Sequence, residues 1–116
     1  MTFNLLEDHA HFHKALAEPI RLRILSLLNS RDFLCVCDLV SVLETSQSTV
    51  SRHLAYLKNK QIVNCWREGT WIHYAINKDH PAYSVLQTIL LGLATLADIK
   101  QDKQILAGYE QTPRQC

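Results

Sequence analysis

Glycine and proline are scarce, three of each in 116 residues. With so few breakers the chain has little room for long irregular loops, and most of it can be regular structure. Net charge is almost absent at +1, so charge alone selects no partner. Long hydrophobic runs are also missing. The greasiest stretch, about residues 82–99, is interrupted by Ser84, Gln87, Thr88, Gly92 and Thr95, too often for a membrane span. The polar start, Met1 to Lys14, carries His9, His11 and His13 and has no apolar segment of the kind a secretory signal needs. These absences predict a cytoplasmic protein with no membrane partner, in a compartment where thiols stay reduced. Cys35, Cys37, Cys65 and Cys116 are then expected to be ligands, sensors or core residues rather than disulfides.

Apolar residues make up 47% of the chain, enough for one core. A domain of this size buries only about two-thirds of its extended surface, so a second copy would add stability. Residues 1–110 read as one domain and residues 111–116 as a flexible tail. Charge is unevenly spread. Residues 1–44 carry four basic against six acidic side chains, and residues 79–116 three against four. Residues 45–78 hold Arg52, Lys58, Lys60, Arg67 and Lys78 against Glu68 alone. The positive charge therefore sits in the middle of the chain.

Helical spacing predicts a first helix over about 8–17. Pro19 suits a first helical turn, and Ile20, Ile24, Leu27 and Leu28 extend a second helix to about residue 29. A short helix follows over about 36–43. After the turn Glu44-Thr45-Ser46 another begins at Gln47, with Ser46 as its N-cap. Val50, Leu54 and Leu57 give that helix a single narrow apolar stripe. The period then changes. Residues 62–67 and 71–76 are β-branched and aromatic, with Gly69 between them free to take a positive φ, which predicts a β-hairpin. A last long helix is expected over about 82–99, continuing towards residue 107. The fold class is mainly α with a small β-hairpin, in the order ααααββα: a winged helix-turn-helix.

The segment from Ser46 to Leu54 separates two jobs. Val50 and Leu54 anchor it, while Gln47, Ser48, Thr49, Ser51, Arg52 and His53 offer polar groups near a helix N-terminus. In a recognition helix that end enters the major groove of double-stranded DNA. Arginine pairs with guanine and glutamine with adenine through two bonds each. Lys58 and Lys60 lie further along for phosphates. On the wing, Arg67 and Thr70 suit phosphate or minor-groove contacts.

Cys35 and Cys37 open the preceding helix. Two thiols are soft ligands for a thiophilic ion, and a helix N-terminus favours the thiolate that binds it. On an ideal helix residues i and i+2 project about 200° apart, so gripping one ion would distort the first turn. His9 and His13, four apart, share a helix face at a spacing that chelates zinc. Cys65, in the first wing strand, reads as structural.

Four blocks carry a family resemblance. SQSTVSRHLAYLK from Ser46 resembles the recognition helix of the ArsR/SmtB metal-responsive repressors, and KALAEPIRLRILSLL from Lys14 their second helix. FLCVCDLV from Phe33 resembles the metal box of the arsenical-resistance-operon branch, and REGTWIHYAI from Arg67 the wing. The similarity spans about residues 10–95. It implies a homodimer, built by the first and last helices, on a partly palindromic operator. It implies no enzyme and no permanent cofactor. The implied inducer is trivalent arsenic or antimony at Cys35 and Cys37, with cadmium, lead or zinc, or thiol oxidation at Cys35, Cys37 or Cys116, as alternatives. Val40 stands where that box usually has a third cysteine, so a third ligand must come from Cys116, from a histidine such as His9 or His13 reaching from a partner subunit, or from a small molecule. A small thiol enzyme such as an arsenate reductase would need a phosphate-cradling loop or a strand-helix-strand setting that three glycines do not provide.

Overall fold

The computed structural model describes residues 3–111. Its elements run α1 (Leu6–Leu16), α2 (Pro19–Asn29), β1 (Leu34–Cys35), α3 (Val36–Leu43), α4 (Gln47–Asn59), β2 (Val63–Glu68), β3 (Trp71–Ile76), α5 (Tyr83–Leu93) and α6 (Ala97–Tyr109). The order is that of a winged helix-turn-helix. The bounds of α2 and α3 and the start of α4 are those the periodicity predicts, while α1 begins two residues earlier.

The turn between α3 and α4 is set by two residues. Glu44 takes the left-handed conformation (φ 50, ψ 44) and its N–H donates to the Val40 carbonyl, closing α3. Ser46 then opens α4, its hydroxyl accepting the Thr49 N–H at 3.2 Å. That bond satisfies one amide that a helix start leaves unpaired. Val50, Leu54 and Leu57 are fully buried, and Tyr56 packs partly buried against the same core. They meet Ile24, Leu25 and Leu28 of α2, Leu39 of α3 and Ile62 before β2 in one cluster.

The hairpin turns on Gly69 at φ 62, followed directly by Thr70 and Trp71. A two-residue loop with positive φ at its first position matches the twist of the flanking strands. The sheet has three strands, in the order β1-β3-β2 and antiparallel throughout. Leu34, Tyr74 and Cys65 lie abreast on the face towards the core. Cys35, His73 and Trp66 lie abreast on the opposite face.

Two expectations need correction. β1 has no counterpart in the sequence reading, because a two-residue strand has no period and exists only through its pairing with β3. The expected long last helix is two helices. Leu96 adopts an extended conformation (φ −69, ψ 143), and α6 turns back onto α2 and α3. A single straight helix through residue 109 would rise about 1.5 Å per residue away from the core. The break instead lets Ile99 and Leu106 bury, and seats Asp102 against Arg23 with bonds of 2.9 Å to Nε and Nη2. The proposed tail, apart from Gln111, lies outside the described residues.

Candidate nucleic-acid interface and thiol pair

The N-terminal end of α4 presents Gln47, Ser48 and Arg52 fully to solvent, with Thr49 and Ser51 half-exposed. Ser46 Oγ also donates to Thr49 Oγ1 at 2.8 Å, which fixes the first turn. Arg67 and Thr70 are exposed at the wing, Thr70 at its tip, and Lys58 is exposed at the far end of α4. The structure thus leaves these expected contacts on the surface.

His53 is the exception. It is only 8% exposed. Lying three residues after Val50, it falls beside the buried stripe rather than on the polar face. Its Nδ1 is 3.2 Å from Nη1 of Arg21. Burial pushes its pKa below the ordinary histidine value, and the charges of Arg52 and Arg21 push the same way. The ring is therefore a neutral acceptor inside the fold and is withdrawn from the DNA-reading set.

Arg21 explains why. Its guanidinium donates to the carbonyls of Ala15 at 2.7 Å and Lys14 at 3.3 Å, and lies 4.3 Å from the centre of the Tyr56 ring. It supplies a donor to the Ala15 carbonyl at the end of α1 and a second donor to that of Lys14, which also accepts the Ala17 N–H, and it stacks on an aromatic face of α4. One side chain of α2 thus joins α1 to the recognition helix. Its position, three and four residues before Ile24 and Leu25, is the sequence signal that it would be buried and would need partners.

Cys35 is the N-cap of α3, extended at φ −88 and ψ 166, and only 2% exposed. Cys37 is the second residue of the helix and half-buried. The pair therefore straddles the junction of β1 and α3. The expectation of two thiols diverging on one ideal helix is corrected accordingly, since only Cys37 has helical geometry. The buried Asp38 side chain accepts the Cys35 N–H at 3.0 Å. From α6, the Tyr109 hydroxyl bonds Ser41 and Asp38, and burial raises its pKa. The last turn of α6 thus rests on the thiol-bearing start of α3.

His9 and His13 are exposed on α1, and His13 Nδ1 donates to the His9 carbonyl at 2.8 Å. Cys116 lies outside the described residues. Cys65 holds a free thiol on the core side of β2 and bonds the Tyr74 hydroxyl. Among the described residues no three ligating side chains already converge. The sequence reading passed over one group. His73 of β3 is 6% exposed and stands opposite Cys35 in the strand register. Its Nδ1 is buried without a hydrogen-bond partner, and its Nε2 is 3.7 Å from Glu68 Oε2. Cys37 is disulfide-bonded in this structure, which corrects the expectation that the cysteines are ligands, sensors or core residues rather than disulfides.

Residues 18–64 match the family model described as "Bacterial regulatory protein, arsR family". The chain is 41% identical over 71 residues to the arsenical resistance operon repressor of Escherichia coli K12, covering 61% of each protein. It is 37% identical over 73 residues to a cadmium resistance regulatory protein, a CadC homologue, of Staphylococcus aureus, covering 63% of this chain and 60% of that one. It thus spans about three-fifths of the length of these two relatives. Among solved structures, the AntR antimony-specific transcriptional repressor superposes with a TM-score of 0.63 at 32% identity, over 82% of this chain and 81% of that one. All three are named as regulators, none as an enzyme.

Proposed function

This chain belongs to the arsR family of bacterial regulatory proteins, and from that premise we propose that it is a DNA-binding transcriptional repressor whose operator complex is released by a thiophilic ion held at Cys35 and Cys37. The observation that carries the proposal is the division within α4. One side is fully buried, and the polar side at the helix N-terminus is exposed, free of partners from the core and flanked by the wing. Gln47, Ser48, Thr49, Ser51 and Arg52 read the major groove, while Arg67 and Thr70 hold the flanking backbone. The protein acts as a homodimer on a partly palindromic site, through exposed apolar side chains on α1 and α5 such as Leu6 and Leu91. No described helix is long and apolar enough to cross a membrane.

In the reduced protein, with the disulfide of Cys37 opened, Cys35 and Cys37 hold the ion as thiolates. Their helix, α3, packs on α4, so a change at its start alters how α4 is presented to DNA. Linkage requires the ion to bind the DNA-free form more tightly than the bound form. The relatives divide over the ion: arsenic and antimony for two, cadmium for the third. The test is fluorescence anisotropy of the reduced protein on its own promoter, titrated with arsenite, antimonite, cadmium, lead, zinc and peroxide. Release by one of the ions, abolished by Cys35→Ser/Cys37→Ser, is expected. Release by peroxide alone moves the role to thiol oxidation, and no binding to any promoter fragment at low salt removes the repressor itself.

A further inference from the structure

Between α2, α5 and α6 lies a cavity of about 310 Å³ that belongs neither to the DNA-reading face nor to the thiol pair. The bend after α5 makes it possible. Ala94, at the C-terminal end of α5, lines the cavity, and so does Lys103 of the returning α6. Ser26 of α2 and Leu90 of α5 are its buried lining, each 4% exposed. Asn29 and Leu91 are exposed at its rim.

The chemistry of the lining is uneven. The Ser26 hydroxyl is buried and has no hydrogen-bond partner among the described residues. A serine inside a helix normally turns its hydroxyl to solvent or back to a carbonyl one turn earlier, and a buried one left unpaired costs stability. Lys103 is half-buried and makes no ion pair among the described residues. No described aspartate or glutamate lines the cavity, so Lys103 is its one charge. Gln87 Nε2 donates to Asn29 Oδ1 at 2.7 Å, which joins α5 to α2 at the rim. Leu90, Leu91 and Ala94 supply an apolar side.

We infer that this cavity is a binding site for a small organic anion, a monocarboxylate with an apolar tail. The carboxylate accepts from the Ser26 hydroxyl and the Lys103 ammonium, and the tail lies on Leu90, Leu91 and Ala94. A concave site of this size, with an apolar side and a few polar groups, suits a small molecule. An inorganic anion would leave the leucines uncovered, and a neutral ligand would leave Lys103 unmatched. Occupancy also bears on assembly. Leu91 is 76% exposed and is one of the side chains assigned to the second copy. A tail packed on Leu91 competes with that copy, so by linkage the anion favours the monomer and lowers operator affinity. This last step rests on the proposed dimer face, whereas the binding itself does not.

The test is calorimetric titration of the full chain with hexanoate, acetate and hexanol, together with methyl NMR of the hexanoate complex. Hexanoate should bind and shift the methyl signals of Leu90, Leu91 and Ala94. Acetate lacks the tail and hexanol the charge, so each should bind at least about tenfold more weakly. Lys103→Gln should weaken hexanoate by about tenfold and leave hexanol unchanged. Ser26→Ala should weaken hexanoate by about fivefold, while the unliganded variant melts no lower than the wild type because an unpaired hydroxyl is gone. Hexanoate bound equally well by Lys103→Gln, or methyl shifts elsewhere, overturns the site. Hexanol bound as tightly as hexanoate overturns the anion. In sedimentation velocity hexanoate should move dimer towards monomer. A dimer that hexanoate leaves intact overturns the competition at Leu91 and leaves the site standing, and a protein monomeric without hexanoate overturns the dimer face instead.

Discussion

At the scale of single residues, Arg21 and His53 show how a side chain that looks ready for DNA serves the fold instead. His53 accepts from Arg21 only while its Nδ1 is unprotonated. Its pKa in the folded protein lies below the ordinary 6.5, with burial the main cause. The unfolded chain therefore takes up the proton first as pH falls. Stability is complete above 6.5 and declines as pH drops from there towards the folded value. His80, also lowered mainly by burial, acts in the same direction. His53→Gln keeps an acceptor but removes the titration. Urea midpoints should fall less steeply below pH 6.5 in the variant than in the wild type. Parallel curves would exclude His53 as a source of acid sensitivity. Periodicity alone, with Val50 three residues earlier, would have placed this ring indoors. It was instead grouped with the polar side chains near the helix N-terminus.

Among the elements, the helix-turn-helix was legible because each of its signals is local: the Ser46 cap, the stripe from Val50 to Leu57, and Gly69 at the wing. The break between α5 and α6 was not. Gly92 lies two residues before Ala94, Thr95 and Leu96, but none of them forbids a helix. What fixes the bend is the Arg23–Asp102 pair, made between residues 79 apart in sequence, which no window of sequence contains. The pairing of His73 with Cys35 was hidden for the same reason, since it exists only through strand register. The Arg23–Asp102 pair is asymmetric, its carboxylate side chain 4% exposed and its guanidinium 36%. Arg23→Met strands a buried charge and should cost about 3–5 kcal/mol. Asp102→Asn lets the arginine turn to water and should cost no more than about 1–2 kcal/mol. Denaturant unfolding of the two variants checks the ordering, and equal losses would mean that the pair does not hold α6.

For the whole molecule, the exposed apolar side chains of α1 and α5 mark the face proposed for the second copy. Leu91 is 76% exposed, so a charge there costs the monomer little. Leu91→Asp should shift the species seen in sedimentation velocity from dimer to monomer, with helical circular dichroism unchanged and operator affinity sharply reduced. A variant that remains dimeric places the interface elsewhere. The position of α6 bears on synthesis as well as on architecture. It is the last element described, yet it carries the partners of Arg23 and Arg31 from α2 and the loop after it, and it lays Tyr109 beside Asp38 at the start of α3. A chain leaving the ribosome makes α2 and α3 long before Asp102 and Glu110 emerge. Until then the flank of α2 that receives α6 faces water with its arginines unmatched, and the entrance to the thiol junction stands uncovered. The packing around α2 and α3 is thus completed only after α6 has been made.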